Sequence, residues 1–200
     1  MKTVLLAGCG KMGSAMLAGW LDHLDSGLKF IIVDPMIPDD HFAHQHARVE
    51  VMTALPSSLP ELYMVVLAMK PQMLPDALPD LALHAGPETV WLSVAAGITT
   101  TKLKEKLGLE TRIIRTMPNT PAAIGKGITA MLIDPQIPTD ISTVAQEMMG
   151  VIGQVVLIDD ELDIDRVTAV SGSGPAYVFL MREALEKAGI TAGLSPELAA

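Results

Sequence analysis

The fold of this chain is decided by one stretch, Val4-Leu5-Leu6-Ala7-Gly8-Cys9-Gly10-Lys11-Met12-Gly13. Four apolar residues run into a Gly-x-Gly-x-x-Gly turn, and a helical pattern of apolar residues follows at once. Gly8 permits the tight turn, Gly10 lets the backbone approach a pyrophosphate, and Gly13 lets the helix pack closely on the strand. The amides at the helix start carry partial positive charge, which suits a phosphate. The stretch therefore predicts a dinucleotide-binding unit.

A second apolar run, Phe30-Ile31-Ile32-Val33, ends in Asp34, which lies 21 residues after Gly13. At this distance an acidic side chain accepts hydrogen bonds from the hydroxyls of an adenosine ribose. A carboxylate repels a 2′-phosphate, and no Arg occurs in residues 35–38, so we expect NADH to be preferred over NADPH. The alternative is an ordinary strand–turn–helix unit that binds nothing.

The composition argues against several classes of protein. A net charge of -9 and an aromatic content of 4% argue against nucleic acid as a partner. Cys9 is the only cysteine, which excludes an intrachain disulfide and favours a reducing compartment. No window of 18 apolar residues predicts a membrane span, and the N-terminus lacks the layout of a secretion signal. We expect a cytoplasmic protein with neither a nucleic acid nor a membrane partner.

Strand-length apolar runs alternate with helical patterns over the first 158 residues. The expected strands are residues 3–7, 30–34, 64–69, 90–94, 112–115, 129–133 and 154–158. The expected helices are residues 11–24, a helix from Pro71 broken by Pro75 and Pro79, a helix near residue 100, and residues 139–150. This alternation predicts an α/β fold with a doubly wound, mostly parallel sheet.

Three histidines, at positions 41, 44 and 46, lie in the stretch after Asp34. We expect a solvated surface helix here and no metal site, because His44 and His46 would point away from each other on a helix and no cysteine lies nearby. The acidic residues between Asp159 and Asp165 are likewise expected to form a solvated linker and the first turn of a helix.

The chain changes character near residue 160, so we divide it into residues 1–160, a dinucleotide-binding domain, and residues 161–200, the beginning of a helical domain. A helix over residues 175–188, ended by Gly189, has an apolar face too broad for one domain to cover, which predicts a second subunit. Pro196 begins a further helix only one turn before Ala200, so we expect the chain to be a piece of a longer protein.

Five segments, in this order and at these separations, resemble the pyrroline-5-carboxylate reductase family. They are Gly8-Cys9-Gly10-Lys11-Met12-Gly13, Ala68-Met69-Lys70-Pro71, Ala95-Ala96-Gly97, Met117-Pro118-Asn119-Thr120-Pro121 and Ser171-Gly172-Ser173-Gly174-Pro175-Ala176-Tyr177. Many dehydrogenases share the first segment, whereas the last two are more specific. The resemblance covers nearly the whole chain.

The resemblance implies a Rossmann domain followed by an all-helical dimerisation domain, in homodimers that often assemble into decamers. It implies hydride transfer from NADPH or NADH to a small cyclic imine acid, which gives proline. The implied cofactor residues, with Asp34 from the pattern above, are Gly8, Cys9, Gly10, Lys11, Met12, Gly13, Asp34, Ala68, Met69, Lys70, Pro71, Ala95, Ala96, Gly97 and Asn119. The implied substrate residues are Glu161, Ser171, Gly172 and Ser173.

The sequence departs from the family in two places. The Gly-Thr-Thr segment that contacts the substrate in relatives has no match, so the activity of this 200-residue chain alone is uncertain, and Tyr63 replaces a frequent Asp. Lys70 is a candidate for a catalytic role, because its charge would act on the cofactor or orient a water, but a purely structural role is the alternative.

Two other functions stay open at this point. A beta-hydroxyacid dehydrogenase would need a lysine in its helical domain, where Lys187 lacks the expected surroundings. A dinucleotide-binding module without catalytic activity is the second alternative. Ser171 and Ser173 are not read as nucleophiles, because no histidine lies in the C-terminal half to form a triad.

Overall fold

The computed structural model describes residues 1–24 and 27–200. Within these residues the chain forms one sheet with the strand order β3-β2-β1-β4-β5-β6-β7-β8. The strands are β1 (Lys2–Ala7), β2 (Leu28–Val33), β3 (Val49–Met52), β4 (Leu62–Leu67), β5 (Val90–Ser93), β6 (Arg112–Met117), β7 (Gly127–Ile133) and β8 (Gly153–Ile158). Neighbouring strands are parallel except β6 and β7. The predicted doubly wound, mostly parallel sheet is confirmed.

The described helices are α1 (Lys11–His23), α2 (Leu74–Ala82), α3 (Thr100–Leu107), α4 (Thr139–Gly150), α5 (Glu161–Val167), α6 (Gly174–Thr191) and α7 (Pro196–Ala199). Short 3₁₀ turns cover Phe42–Gln45, Pro71–Met73 and Thr120–Ile124, and a π-helical turn covers Thr168–Gly172. The side chain of Thr99 accepts a hydrogen bond from the amide of Lys102, so Thr99 caps the start of α3. None of these helices combines the length and the apolar character that crossing a membrane requires.

The core has two layers because the central strands are buried on both faces. In β1, Val4 and Leu6 face one layer, while Leu5 faces the other. This arrangement explains why the strands are continuous apolar runs and do not alternate with polar residues. In the first layer the ring of Trp20 stacks on Phe30 with 5.3 Å between the ring centroids, and its Nε1 donates to a carbonyl of α4.

The expected surface helix around residues 41–46 is wrong. The structure has a 3₁₀ turn at Phe42–Gln45, and the chain then forms β3, which pairs with β2 at the edge of the sheet. Arg48, just before β3, donates to the carbonyls of Leu21 and Leu24 at the end of α1, so this segment is tied to the first unit of the fold. A four-residue edge strand has too short a pattern to stand out in the sequence.

Two other helix boundaries differ from expectation. α2 begins at Leu74 after a 3₁₀ turn and continues through Pro79, so the break lies before the prolines and not at them. Pro75 lies in the first turn of α2, where a proline costs no hydrogen bond. α6 continues through Gly189 to Thr191, and Gly193, with φ of +101°, follows its end.

α6 packs on the π-helical turn before it and on α7 after it. Its apolar side chains are exposed: Tyr177, Val178, Phe179, Leu180, Met181 and Leu185 each expose more than 60% of their surface. The described chain therefore has an apolar helix face with no covering element, as the sequence indicated. The division of the chain at residue 160 stays a prediction.

Candidate functional site

The predicted cofactor residues follow the carboxyl ends of adjacent parallel strands. β1 ends before Gly8, β2 before Asp34, β4 before Ala68 and β5 shortly before Ala95. Carboxyl ends of parallel strands lie at one edge of a sheet, so the structure brings these segments together. From β1 the chain builds the sheet outward through β2 and β3 on one side, and it then returns to form β4 on the other side of β1. Such a switch point is where doubly wound folds bind ligands.

Two glycines of the first turn are required by the fold itself. Gly8 has φ of +93°, and a Cβ there would lie 2.8 Å from the amide nitrogen of Met69. A Cβ on Gly13 would lie 2.4 Å from the carbonyl oxygen of Gly8. Both distances are too short for any side chain, so both positions need glycine even in the absence of a ligand.

Gly10 is different, because nothing in the chain requires a glycine there. Its φ of -69° suits any residue, and a Cβ would meet no atom within 4 Å. The residue is exposed at the start of α1, where free amides favour an anion. Open space at this point lets a phosphate come close to the backbone, so the turn fits a dinucleotide.

The carboxylate of Asp34 is anchored to the glycine turn. Its Oδ2 accepts the amide of Cys9 at 2.6 Å, and its Oδ1 accepts the amide of Met36 at 2.8 Å. Each oxygen keeps a second lone pair, so the side chain can still accept a ribose hydroxyl. The sequence predicted only the contact with ribose, and the structure adds the bond that holds the turn.

Cys9 is a buried thiol and not a nucleophile on a surface. Burial raises the pKa of the Cys9 thiol above its usual value, although the hydrogen bond with Ser14 opposes the shift. A thiol that keeps its proton is a poor nucleophile. Cys9 therefore serves as a small buried side chain within the turn.

The cofactor segments Ala68 to Pro71 and Ala95 to Gly97, which the resemblance places toward the nicotinamide end, follow β4 and β5 at the same edge of the sheet. Lys70 is exposed at the start of the 3₁₀ turn after β4, and Ala96 and Gly97 are exposed after β5. Gly97 has φ of +73°, and a Cβ there would meet no atom within 4 Å. Among residues 1–24 and 27–200, no hydrogen bond or ion pair joins Lys70 to the substrate residues.

Asn119 joins the proline-asparagine loop to the serine-glycine segment. Its Nδ2 donates to the carbonyl of Ser171 at 3.3 Å and to the hydroxyl of Ser171 at 3.1 Å. Its Oδ1 accepts the amide of Ile128 at the start of β7 at 2.9 Å. Ser173 donates from both its amide and its hydroxyl to the carbonyl of Thr168. The two most specific motifs of the sequence are therefore in direct contact.

Glu161 lies in a polar cluster whose central member the sequence did not reveal. Its carboxylate accepts the amide of Thr100 at 2.7 Å, the hydroxyl of Thr100 at 2.9 Å and Nη1 of Arg115 at 2.9 Å. Burial raises the pKa of Glu161, but the bonds from Thr100 and Arg115 together lower it by more, so the pKa lies below its usual value. Glu161 is therefore charged, and it ties the start of α5 to the start of α3.

Arg115 is the functional candidate that sequence reasoning missed. Its side chain is only 1% exposed, and its Nη2 lies 3.5 Å from Oδ1 of Asp165. A signal was present, because an arginine within the apolar stretch Ile113-Ile114-Arg115-Thr116-Met117 must be buried with an acid or break the strand. The identity of that acid could not be read from the sequence.

The pyrroline-5-carboxylate reductase of Haemophilus influenzae is 33% identical to this chain over 200 residues, which span 99% of this chain and 73% of that protein. The chain belongs to the pyrroline-5-carboxylate reductase family. The family model for pyrroline-5-carboxylate reductase dimerisation matches residues 161–200. The family that the resemblance indicated is therefore confirmed.

Solved structures of the family share the fold. The pyrroline-5-carboxylate reductase of Coxiella burnetii aligns with a TM-score of 0.82 at 28% identity, over 98% of this chain and 73% of that chain. Plasmodium falciparum pyrroline carboxylate reductase, solved with NADP bound, aligns with a TM-score of 0.80 at 26% identity, over 99% of this chain and 72% of that chain. The dehydrogenase alternative has no support at Lys187, whose amine pairs with Glu183 on the exposed surface of α6.

Proposed function

We propose that this chain binds NADH or NADPH at the carboxyl edge of its sheet and reduces 1-pyrroline-5-carboxylate to L-proline. Family membership supports the reaction. The observation that carries cofactor binding is the open space beside Gly10, since neither the backbone conformation nor the packing explains a glycine at this position.

Each segment of the edge then has a proposed role. The turn from Gly8 to Gly13 receives the pyrophosphate, and Asp34 receives the adenosine ribose. Ala68 to Pro71, Ala95 to Gly97, and Asn119 are assigned to the nicotinamide end. The carboxylate at Asp34 favours NADH, because it would repel a 2′-phosphate.

The cofactor supplies the hydride when it is bound. The chain's task is to hold the imine carbon at the right place and to exclude water. A protonated imine is already electrophilic, so a strong side-chain acid is not required. Lys70, exposed beside the edge, is assigned an electrostatic role in orienting the cofactor.

The substrate site is assigned to Glu161, Ser171, Gly172 and Ser173, the residues that the family resemblance implies. Asn119 fixes the backbone at Ser171, and Arg115 with Thr100 fixes Glu161. A fixed set of polar groups is what positioning a small imine acid requires. We also propose a homodimer through the apolar face of α6, assembly of such dimers into a decamer, and a cytoplasmic location.

The test compares the same substitution, glycine to valine, at two exposed positions of the chain. Gly10 and Gly150, at the end of α4, are both exposed glycines whose Cβ would meet no atom within 4 Å. Both Gly10→Val and Gly150→Val should fold, but only the first fills the space proposed for the pyrophosphate. Titration calorimetry with NADH should show binding at least about tenfold weaker for Gly10→Val, equal to ~1.4 kcal/mol, and unchanged binding for Gly150→Val.

Turnover is followed as loss of NADH absorbance with 1-pyrroline-5-carboxylate. We expect Gly10→Val to lose most of the NADH oxidation that the wild-type chain shows. Equal binding by both variants would remove the glycine turn from the proposal. Turnover by the wild-type chain would exclude the dinucleotide-binding module.

A further inference from the structure

The proposed function leaves one polar contact of the glycine turn unused. Nε2 of His41 lies 2.9 Å from the hydroxyl of Ser14, the fourth residue of α1. The Ser14 hydroxyl in turn donates to the carbonyl oxygen of Cys9 at 2.8 Å. His41 belongs to the segment after β2, so the contact links that segment to the turn after β1.

The direction of the contact follows from the other ring nitrogen. Nδ1 of His41 accepts the amide of Ala43 at 3.2 Å, which caps the 3₁₀ turn. A neutral imidazole that accepts at Nδ1 carries its proton on Nε2. His41 therefore donates to Ser14, and Ser14 donates to Cys9.

The Cys9 residue is thus held on both sides. Its amide donates to Asp34, and its carbonyl accepts from Ser14. The carbonyl of Cys9 and the amide of Gly10 belong to one planar peptide unit. Fixing the carbonyl consequently fixes the direction of the Gly10 amide, which lies where the pyrophosphate is proposed to bind.

We propose that His41 is a positioning residue for the dinucleotide: through Ser14 it holds the Cys9–Gly10 peptide in the orientation that receives the pyrophosphate. The inference rests on the proposed function. A turn that is already in its binding orientation loses less freedom when the ligand arrives, so the contact acts on affinity. His41 does not touch the reacting atoms.

Two substitutions test the hydrogen bonds of the two His41 ring nitrogens one at a time. In His41→Gln the side-chain amide reaches the place of Nε2 and still donates to Ser14, but the bond from Ala43 is lost. In His41→Asn the side-chain oxygen takes the place of Nδ1 and still accepts from Ala43, but the side chain is too short to reach Ser14. Each variant keeps one of the two contacts.

The measurements are calorimetric affinity for NADH, thermal unfolding without cofactor, and hydrogen exchange at the Gly10 amide without cofactor. We expect His41→Asn to bind NADH about fivefold more weakly, which corresponds to the loss of roughly one hydrogen bond. We also expect faster hydrogen exchange at the Gly10 amide in this variant. We expect His41→Gln to bind like the wild type but to unfold at a lower temperature. In turnover, His41→Asn should raise KM for NADH and leave kcat unchanged.

Loss of affinity in proportion to loss of thermal stability in both variants would overturn the inference, because His41 would then be only structural. Wild-type affinity in His41→Asn would also overturn it. A wild-type chain that binds neither NADH nor NADPH would instead overturn the proposed function, and the inference with it.

Discussion

Replacing Arg115 by Met tests whether the buried polar cluster holds the helical segment on the sheet. The substitution keeps an unbranched apolar stem in β6 and removes the charge. Arg115 is 1% exposed and contacts Glu161 at 2.9 Å and Asp165 at 3.5 Å. After the change Glu161 would keep only its two bonds from Thr100.

The magnitude follows from the exposure of each partner. Removing one member of a buried ion pair costs roughly 3–5 kcal/mol, because the other charge is left buried without its partner. Asp165 is 66% exposed and its contact is long, so it adds little. Glu161 is 27% exposed and keeps two other bonds, which reduces the cost. We therefore expect Arg115→Met to lower the free energy of unfolding by about 3 kcal/mol, at the lower end of this range.

The assay is equilibrium unfolding in urea, with Arg112→Met as the matched control. With a slope of about 2 kcal/mol per molar urea, the loss at Arg115 lowers the midpoint by about 1.5 M. Arg112 lies on the same strand but pairs with Glu88, which is 75% exposed, so its loss should cost less than about 1 kcal/mol. Equal midpoint shifts in the two variants would refute the reasoning, because burial of the pair would then have no effect.

Three other predictions concern charge, cofactor and assembly. The lowered pKa of Glu161 means that its contribution to stability is complete above its usual pKa of 4.5 and is lost as pH falls below that value, so urea midpoints at about pH 3.5 and pH 7 should differ more in the wild type than in Glu161→Gln. The KM for NADH should be lower than the KM for NADPH, because the Asp34 carboxylate repels a 2′-phosphate. Asp34→Asn removes that charge and should bring the two KM values closer together. A lower KM for NADPH than for NADH in the wild type would contradict this prediction. Leu180 is 66% exposed on α6, so Leu180→Glu should convert a dimer into a monomer in light scattering, and an unchanged mass would place the interface elsewhere.

Much of the fold was predictable because the relevant information is local. The apolar runs of β1, β4 and β5 are strands buried on both faces, and such runs stand out in a sequence. The edge strand β3 did not stand out, because it has four residues and only partial burial. Its place is set by pairing with β2, which no local pattern contains.

The candidate site was predictable to the extent that its residues sit in motifs. The link between Arg115 and Glu161 spans 46 residues, and the link between Ser14 and His41 spans 27. The sequence indicates that a buried Arg115 needs an acidic partner, but the fold determines which of the acidic residues after Asp159 lies beside it. His41 was assigned to a solvated helix for the same reason, since its partner lies on α1.

The glycine turn shows why a motif and a structure answer different questions. The motif predicts three glycines together, but their physical causes differ: Gly8 is needed for its positive φ, Gly13 for close contact with the turn, and Gly10 for neither. Substitutions at Gly8 or Gly13 would strain the fold, so a loss of cofactor binding there carries no information about the ligand. Because Gly10 is free of both constraints, a loss of affinity at this position alone reports the pyrophosphate. Gly10, the one glycine of the turn that the fold does not require, is therefore the position at which a substitution tests cofactor binding.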